Sequence, residues 1–185
     1  MSNLILGDAR ETIIKMTDKS VDLIITDPMY DLNQVEQLWY QAEFTRVCKG
    51  AILVFCMPEN QWPADKFLFW VKQPSTKNYS KNFGRFIEMI AYYPGPTFNN
   101  QEYWANYTGI YNDTLEGPRI HEFQKPVSLI ERFVRILSNE GDVVFDPFMG
   151  SGSIILAAKN LKRNYVGIEI DEATYEVAKQ RIGED

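Results

Sequence analysis

Residues 143–153, V-V-F-D-P-F-M-G-S-G-S, decide the fold of this 185-residue chain. The β-branched and aromatic start of this stretch predicts a buried strand at residues 143–145. Gly150 and Gly152 then predict a tight turn, followed by a helix from about Ser153. In open α/β sheets, a turn of this kind at the carboxyl end of a central parallel strand binds nucleotide-like ligands. We therefore expect an α/β fold with a ligand site at this turn.

The residues around the turn limit which nucleotide-like ligands can bind there. The third glycine of the dinucleotide fingerprint is replaced by Ile155, and the turn lacks the lysine of a phosphate-binding loop. Glu169 ends the next apolar run, at the spacing where an acid reaches a pair of ribose hydroxyls. An adenosine ligand without phosphates, such as S-adenosylmethionine, fits this pattern. The alternative is a glycine turn that only joins a strand to a helix.

The composition is that of one ordinary globular domain, 1–185, with 45% hydrophobic and 24% charged residues. No apolar run is long enough to cross a bilayer, and the first residues do not resemble a signal peptide. Cys48 and Cys56 lie in apolar surroundings, so we expect a reducing, cytoplasmic location. His121 is the only histidine. We therefore predict no metal site and no membrane association.

The distribution of charge says more about partners than the net charge of −6 does. Between residues 66 and 85 every charged side chain is basic: Lys66, Lys72, Lys77, Lys81 and Arg85. Such a strip on an acidic protein can contact phosphates. A solvated surface is the alternative interpretation.

The first third of the chain predicts alternating strands and helices. Strands are expected at 4–6, 21–26 and 51–56, with helices at 9–16 and from about Val35 to a stop at Gly50. A β-α-β order implies parallel strands with right-handed crossovers.

The pattern changes after Met57. Residues 67–71 and 86–93 predict an antiparallel strand pair, and 94–119 predict a long surface segment rich in aromatic residues. A helix should begin at Pro126 and precede the central strand. A helix at 154–161, a strand at 165–170 and a helix at 172–181 should complete the fold.

A second motif, Asp27-Pro28-Met29-Tyr30, follows the predicted strand 21–26, at the same edge of the sheet as the glycine turn. With this motif the chain resembles the amino-methyltransferases of DNA. Their catalytic motif is [D/N/S]-P-P-[Y/F/W], and Met29 replaces its second proline. Their cofactor motif, F-x-G-x-G, is matched in full by residues 148–152. The catalytic motif comes first, which is similar to the permuted β group of the family.

Further matches are Gly7-Asp8, the segment 121–126 (H-E-F-Q-K-P) and Gly167-Ile168-Glu169. The resemblance implies a Rossmann-like methyltransferase that uses S-adenosylmethionine. It also implies a set of residues around the cofactor: Asp8, Lys125, Asp146, Phe148, Gly150, Ser151, Gly152 and Glu169. It covers both ends of the chain and most of the core, and it fades between about Met57 and Arg119.

The resemblance implies that Asp27, Pro28 and Tyr30 are the catalytic residues. Asp27 and the carbonyl of Pro28 would accept the two N–H groups of an exocyclic amine, and Tyr30 would stack on a base rotated out of the duplex. Asp at the first position favours adenine N6 over cytosine N4. The alternatives are cytosine N4 methylation and a DNA- or cofactor-binding module without turnover. A dinucleotide-dependent oxidoreductase is a third, weaker alternative.

The expected partner is double-stranded DNA. Residues 57–120 leave room for only a small target-recognition region, formed by the basic strip and the aromatic segment from Phe98 to Tyr111. We therefore expect short sequence specificity, or a homodimer that shares recognition.

Overall fold

The computed structural model describes residues 3–29, 32–72, 87–99, 109–112 and 125–184. Eight strands lie in this part of the chain: β1 (Asn3–Leu6), β2 (Val21–Thr26), β3 (Cys48–Cys56), β4 (Lys66–Val71), β5 (Ile87–Tyr93), β6 (Ile110–Tyr111), β7 (Val143–Asp146) and β8 (Asn164–Glu169). The helices are α1 (Ala9–Ile13), α2 (Gln34–Val47), α3 (Val127–Leu137), α4 (Ser153–Asn160) and α5 (Glu172–Ile182). None of these helices is long and apolar enough to span a bilayer.

The strands form one sheet in the order β1-β8-β7-β2-β3-β5-β4-β6. Neighbouring strands are parallel, except that β5 runs antiparallel to both β3 and β4. The predicted α/β fold, a mostly parallel sheet with an antiparallel pair, is therefore confirmed.

The strand order reverses between β2 and β7, which are neighbours in the sheet. From β2 the chain passes through α2 to β3 on one side, whereas from β7 it passes through α4 to β8 on the other. A reversal of this kind opens a crevice at the carboxyl ends of the two strands. The two motifs found in the sequence follow these two strands.

Side chains alternate along β2 between two hydrophobic clusters, one on each face of the sheet. Leu23 and Ile25 join the cluster that contains α3 and α4, and Ile24 joins the cluster that contains α2. All three side chains are fully buried. Helices on both faces of a mostly parallel sheet explain why β2 reads as a continuous apolar run.

Local sequence sets the start of α2 and of α3. Asn33 caps α2, with Glu36 completing a capping box. Pro126 precedes α3, and the apolar side of this helix is buried.

Several boundaries differ from the sequence predictions by a few residues. Helix α1 ends at Ile13 rather than Met16. Beyond it, the N–H groups of Lys15 and Met16 donate to the carbonyl oxygens three residues earlier, those of Thr12 and Ile13, as in a 3₁₀ turn. Strand β8 ends at Glu169 rather than at Ile170.

Gly50 does not end helix α2. The helix ends at Val47, and β3 begins directly at Cys48, so Gly50 lies within a strand. A Cβ atom at Gly50 would lie 1.8 Å from the backbone oxygen of Asp22 on the neighbouring β2. The glycine is therefore explained by close approach of two strands, next to an irregularity in their register.

The segment predicted as a surface loop at 94–119 contributes to the sheet. Within it, Ile110 and Tyr111 form β6 beside β4. The Tyr111 ring is buried and packs edge-on against Phe133 at 4.7 Å, so it belongs to the core rather than to a DNA-facing surface. The other aromatic residues of this segment, apart from Phe98, lie outside the described residues.

Candidate active site

A cavity of about 740 Å³ opens where β2 and β7 end. Six segments line it: the turns after β1, β2, β7 and β8, the start of helix α2 with the residues just before it, and Lys125 just before α3. The predicted site residues on its wall are Asp8, Asp27, Pro28, Lys125, Asp146, Phe148, Gly150, Ser151 and Glu169. Residues from both ends and the middle of the chain thus meet at one edge of the sheet. Tyr30 lies outside the described residues.

The glycine turn joins β7 to α4, and its two glycines have different surroundings. Gly150 lines the cavity and donates its N–H to Oε2 of Glu169 at 3.0 Å. Gly152 is the N-cap of α4 with φ of 78°, and a Cβ there would lie 2.9 Å from Cδ1 of Ile182. Gly152, predicted to contact the cofactor, is not part of the cavity wall. It faces α5 instead.

Arg181 supports this turn from α5. Its Nη1 atom donates to the carbonyl oxygen of Ser151 at 3.1 Å and to the hydroxyl of Ser153 at 2.9 Å. Partial burial lowers the pKa of the guanidinium. The sequence pattern does not reveal this role, because Arg181 reads as an ordinary basic residue near a helix end.

Two further predicted acids, Asp8 and Glu169, line the cavity. Glu169 accepts the N–H of Asp171 at Oε1 as well as that of Gly150 at Oε2. Asp8 caps α1, because its Oδ1 accepts the N–H of Arg10 at 2.6 Å. Asp8 therefore has a structural role in addition to its position on the cavity wall.

Asp146 is fully buried at the end of β7. Its Oδ1 accepts the hydroxyl of Thr26 at 2.9 Å and the N–H of Phe148 at 3.1 Å, whereas its buried Oδ2 has no hydrogen-bond partner among the described residues. Burial raises the pKa of Asp146 to about 7, although both hydrogen bonds oppose that shift. A buried acceptor of this kind suits a donor on a ligand.

Asp27 follows β2 and contacts Lys125. The Lys125 Nζ lies 2.5 Å from Oδ2 of Asp27, and the lysine side chain is only 5% exposed. The other oxygen, Oδ1, is buried with no hydrogen-bond partner among the described residues. Burial raises the pKa of Asp27, and the attraction of Lys125 opposes the shift without overcoming it. Next to Asp27, Pro28 is buried and Met29 is exposed.

An aromatic wall completes the cavity, formed by Phe148, which was predicted, and Tyr40, which was not. The ring of Tyr40 packs edge-on against Phe148 at 5.2 Å. Arg10 lies 5.5 Å from the centre of the Tyr40 ring and forms an ion pair of 2.6 Å with Glu36. Tyr40 was not predicted as a site residue, because nothing local in the sequence indicates that it faces a ligand.

One residue of the predicted basic strip points inward. The Lys72 Nζ forms an ion pair with Glu88 and lies 5.0 Å from the centre of the Trp70 ring. Lys66 is exposed. Lys77, Lys81 and Arg85 lie outside the described residues.

The charged residues on the cavity wall indicate which kind of ligand it can bind. Five carboxylates face two cations: Asp8, Asp27, Glu36, Asp146 and Glu169 against Arg10 and Lys125. An excess of carboxylates disfavours phosphate groups and favours a cationic ligand. S-adenosylmethionine carries a sulfonium and an ammonium group and no phosphate, so it fits this wall better than a dinucleotide does. Fold and site together define a methyltransferase of the Rossmann-like class.

Comparison with known proteins identifies the family. The model of the N6/N4 DNA methylase family matches residues 46–180, and the chain therefore belongs to this family. The type II methyltransferase M.HpaI of Haemophilus parainfluenzae is 28% identical over 235 residues, which cover 97% of this chain and 73% of that protein. M.HinfI of Haemophilus influenzae is 44% identical over 69 residues, which cover 37% of this chain and only 19% of that protein.

Solved structures agree with this assignment. M1.HpyAVI in complex with S-adenosylmethionine is 30% identical, with a TM-score of 0.76 over 98% of this chain and 100% of that one. The cytosine-N4-specific PvuII DNA methyltransferase is 13% identical, with a TM-score of 0.76 over 97% and 86% of the two chains, and it shows the shared fold. The predicted family, the methyltransferase fold and S-adenosylmethionine as the cofactor are confirmed.

Proposed function

We propose that this DNA methyltransferase transfers a methyl group from S-adenosylmethionine to the exocyclic N6 of adenine in DNA, after the base has been rotated out of the duplex. The observation that supports transfer to an exocyclic amine is the Oδ1 of Asp27 on the cavity wall, which is buried without a hydrogen-bond partner among the described residues. An amine N–H is the donor that such an acceptor lacks. Because Pro28 is the next residue, its carbonyl is a natural second acceptor for the same amine.

Asp27 and Pro28 act by orientation and charge. The lone pair of an adenine amine is conjugated with the ring, so the amine is a poor nucleophile. Two acceptors that hold its two N–H groups turn the lone pair toward the methyl group. The carboxylate of Asp27 also stabilises the positive charge that develops on nitrogen. The proposal assigns base stacking to Tyr30.

The bound cofactor supplies an electrophilic methyl group on its sulfonium. We assign Glu169 to the ribose hydroxyls. We assign Asp146 to a cationic donor of the cofactor, because the Oδ2 of Asp146 is buried and has no hydrogen-bond partner in the described part of the chain. Phe148 and Tyr40 supply an apolar wall beside the ligand. Gly150 and Ser151 shape the turn, and we assign Gly152 an indirect role, through the packing of α5 on α4.

The contact with DNA is proposed for residues 57–120. Exposed Lys66 and half-exposed Phe98 are the described members of the basic strip and the aromatic segment that support it. A homodimer that shares recognition between two copies is part of the same proposal, as is a location in the cytoplasm.

The test is transfer of tritium from labelled S-adenosylmethionine to unmethylated DNA, followed by nucleoside analysis. We expect label in N6-methyladenine with the wild-type protein and a loss of about 100-fold or more in Asp27→Ala. Asp18→Ala, which changes an exposed acid, is the matched control. Label in N4-methylcytosine would show that the substrate is cytosine rather than adenine. Cofactor binding without label in any base would contradict the proposed reaction and support a binding module.

A further inference from the structure

Glu88 is a buried acid close to Asp27, the proposed catalytic residue. No sequence motif indicated a role for Glu88. It is the second residue of β5, lies opposite Trp70 of β4 and is 4% exposed. Lys72 pairs with its Oε1, and the Lys125 Nζ lies 3.3 Å from its Oε2. A buried carboxylate is costly unless cations compensate it, and here two do so.

Lys125 is shared between two carboxylates. Its Nζ lies 2.5 Å from Asp27 and 3.3 Å from Glu88, while it also lies 5.1 Å from the centre of the Phe55 ring. Lys72, Glu88, Lys125 and Asp27 thus form a line of alternating charges, which we call the four-charge chain. Its formal charge is zero, with two cations and two anions.

We propose that Glu88 is a positioning residue for methyl transfer, which shares Lys125 with Asp27 and so keeps the Asp27 carboxylate effective as the acceptor of the substrate amine. This inference rests on the proposed function of Asp27. Glu88 does not line the cavity, and it acts on the reaction only through Lys125.

The physical reason is the strength of charge interactions in a buried site. Without the charge of Glu88, the attraction of Lys125 would fall on Asp27 alone. The developing positive charge on the amine would then meet a carboxylate whose own charge is already neutralised. With Glu88 present, the pair Lys125–Glu88 is neutral, and the ionised carboxylate of Asp27 is a stronger acceptor toward the cavity.

Glu88 and Lys72 should shift the pKa of Asp27 in opposite directions. The charge of Glu88 raises the pKa of Asp27, and the charge of Lys72 lowers it. Among the described residues, Asp27 also interacts with Lys125, the carboxyl of Asp146 and the thiol of Cys56. Removing Glu88 should therefore lower the pKa of Asp27, and removing Lys72 should raise it.

The test measures the titration of Asp27 directly, by ¹³C NMR of protein labelled at aspartate carboxyl carbons, with Asp27→Asn to assign the signal. Relative to wild type, we expect Glu88→Gln to move the Asp27 midpoint down by on the order of one pH unit and Lys72→Met to move it up by a similar amount. The double variant should return close to wild type. A role in packing alone predicts neither opposite signs nor cancellation.

Kinetics provide the second readout. We expect Glu88→Gln to lower kcat about tenfold, while the affinity for S-adenosylmethionine measured by calorimetry stays within about twofold. Midpoints that do not move, or that move in the same direction in both single variants, would overturn the inference. If Glu88→Gln fails to fold, Lys72→Met decides alone, because an unchanged midpoint in that variant also overturns it.

The inference and the proposed function fail in different ways. Wild-type protein that binds the cofactor but methylates no base would refute the function, and the NMR titration would still test the four-charge chain. Wild-type protein that methylates adenine, with an unchanged titration and kcat in Glu88→Gln, would refute the inference alone.

Discussion

The hydroxyl of Thr26 donates a hydrogen bond of 2.9 Å to Oδ1 of Asp146, across 120 residues of sequence. Both residues are fully buried, one at the end of β2 and the other at the end of β7. The bond therefore fastens together the two strands that carry the proposed catalytic and cofactor residues, at the point where the strand order reverses.

Loss of this bond should destabilise the protein. Thr26→Val keeps the shape of the side chain but leaves the buried Asp146 with one donor fewer, so we expect the free energy of unfolding to fall by about 1–3 kcal/mol. Chemical denaturation measures this change. Thr45→Val, which changes an exposed hydroxyl on α2 bonded to the carbonyl of Gln41, is the control and should change stability by less than about 0.5 kcal/mol. Equal effects of the two substitutions would contradict the prediction.

Cofactor binding should depend on the ionisation of Asp146. Because its pKa in the folded protein is about 7, against an ordinary value of 3.8, the folded protein retains a proton that the unfolded chain releases. Its contribution to stability is therefore lost as pH rises from about 4 through about 7. If the cofactor binds the ionised form, its affinity should fall by up to about tenfold per pH unit below 7 and level off above it.

Calorimetry with S-adenosylmethionine between pH 5.5 and 8.5, a range of about three units around the expected midpoint, would measure this dependence. Asp146→Asn serves as the control, and it should bind more weakly with a flatter pH profile. A wild-type affinity that stays constant across this range would show that Asp146 does not titrate on the cofactor.

The left-handed backbone at Gly152 should resist substitution. Gly152→Ala places a Cβ at φ of 78° and 2.9 Å from Cδ1 of Ile182. Gly141→Ala, at φ of 86° with open space around the Cβ, is the matched control. Backbone strain should cost both variants about 1–2 kcal/mol in urea unfolding, and Gly152→Ala more because of the contact. Adding Ile182→Val should recover that excess. Equal costs for the two glycines would contradict a packing role.

Arg181 should matter for the cofactor although it is not on the cavity wall. Arg181→Met removes the hydrogen bonds to Ser151 and Ser153, so the turn should become less well ordered and the Kd for S-adenosylmethionine should rise about 5- to 20-fold. Lys179→Met, on the same helix, removes only a long contact of 3.9 Å with Glu176 and should leave the Kd within about twofold. An unchanged Kd in Arg181→Met would show that the turn keeps its shape without this support.

The sequence predicted the frame of the fold because its strands are short, apolar and bounded by turn residues. β2 is predicted at its full extent, 21–26, since a strand covered by helices on both faces is apolar throughout. The boundary at Gly50 was wrong because a glycine in close contact with a neighbouring strand looks, in sequence alone, like a helix stop. Only the three-dimensional structure distinguishes a glycine that ends a helix from one that lies against a neighbouring strand.

Site residues that directly follow a strand could be predicted from the sequence, whereas residues brought to the site by tertiary packing could not. Asp27 and Asp146 follow predicted strands, so sheet topology alone places them at one edge. Helix packing and strand pairing bring three other residues to the site: Tyr40, Arg181 and Glu88. Each of them is separated by many residues of sequence from the side chains that it contacts. No local pattern distinguishes Arg181 from Lys179, which lies two positions earlier on the same helix.

The reversed direction of β5 decides which of its residues lie near Lys125, on the cavity wall. In every strand parallel to β2, the last residue reaches the edge of the sheet where the cavity opens. In β5, which runs the other way, the first residues reach that edge, as the pairing of Glu88 with Trp70 shows. In such a sheet, a functional side chain is therefore to be sought at the beginning of the one backward strand, and a search confined to strand ends would pass over it.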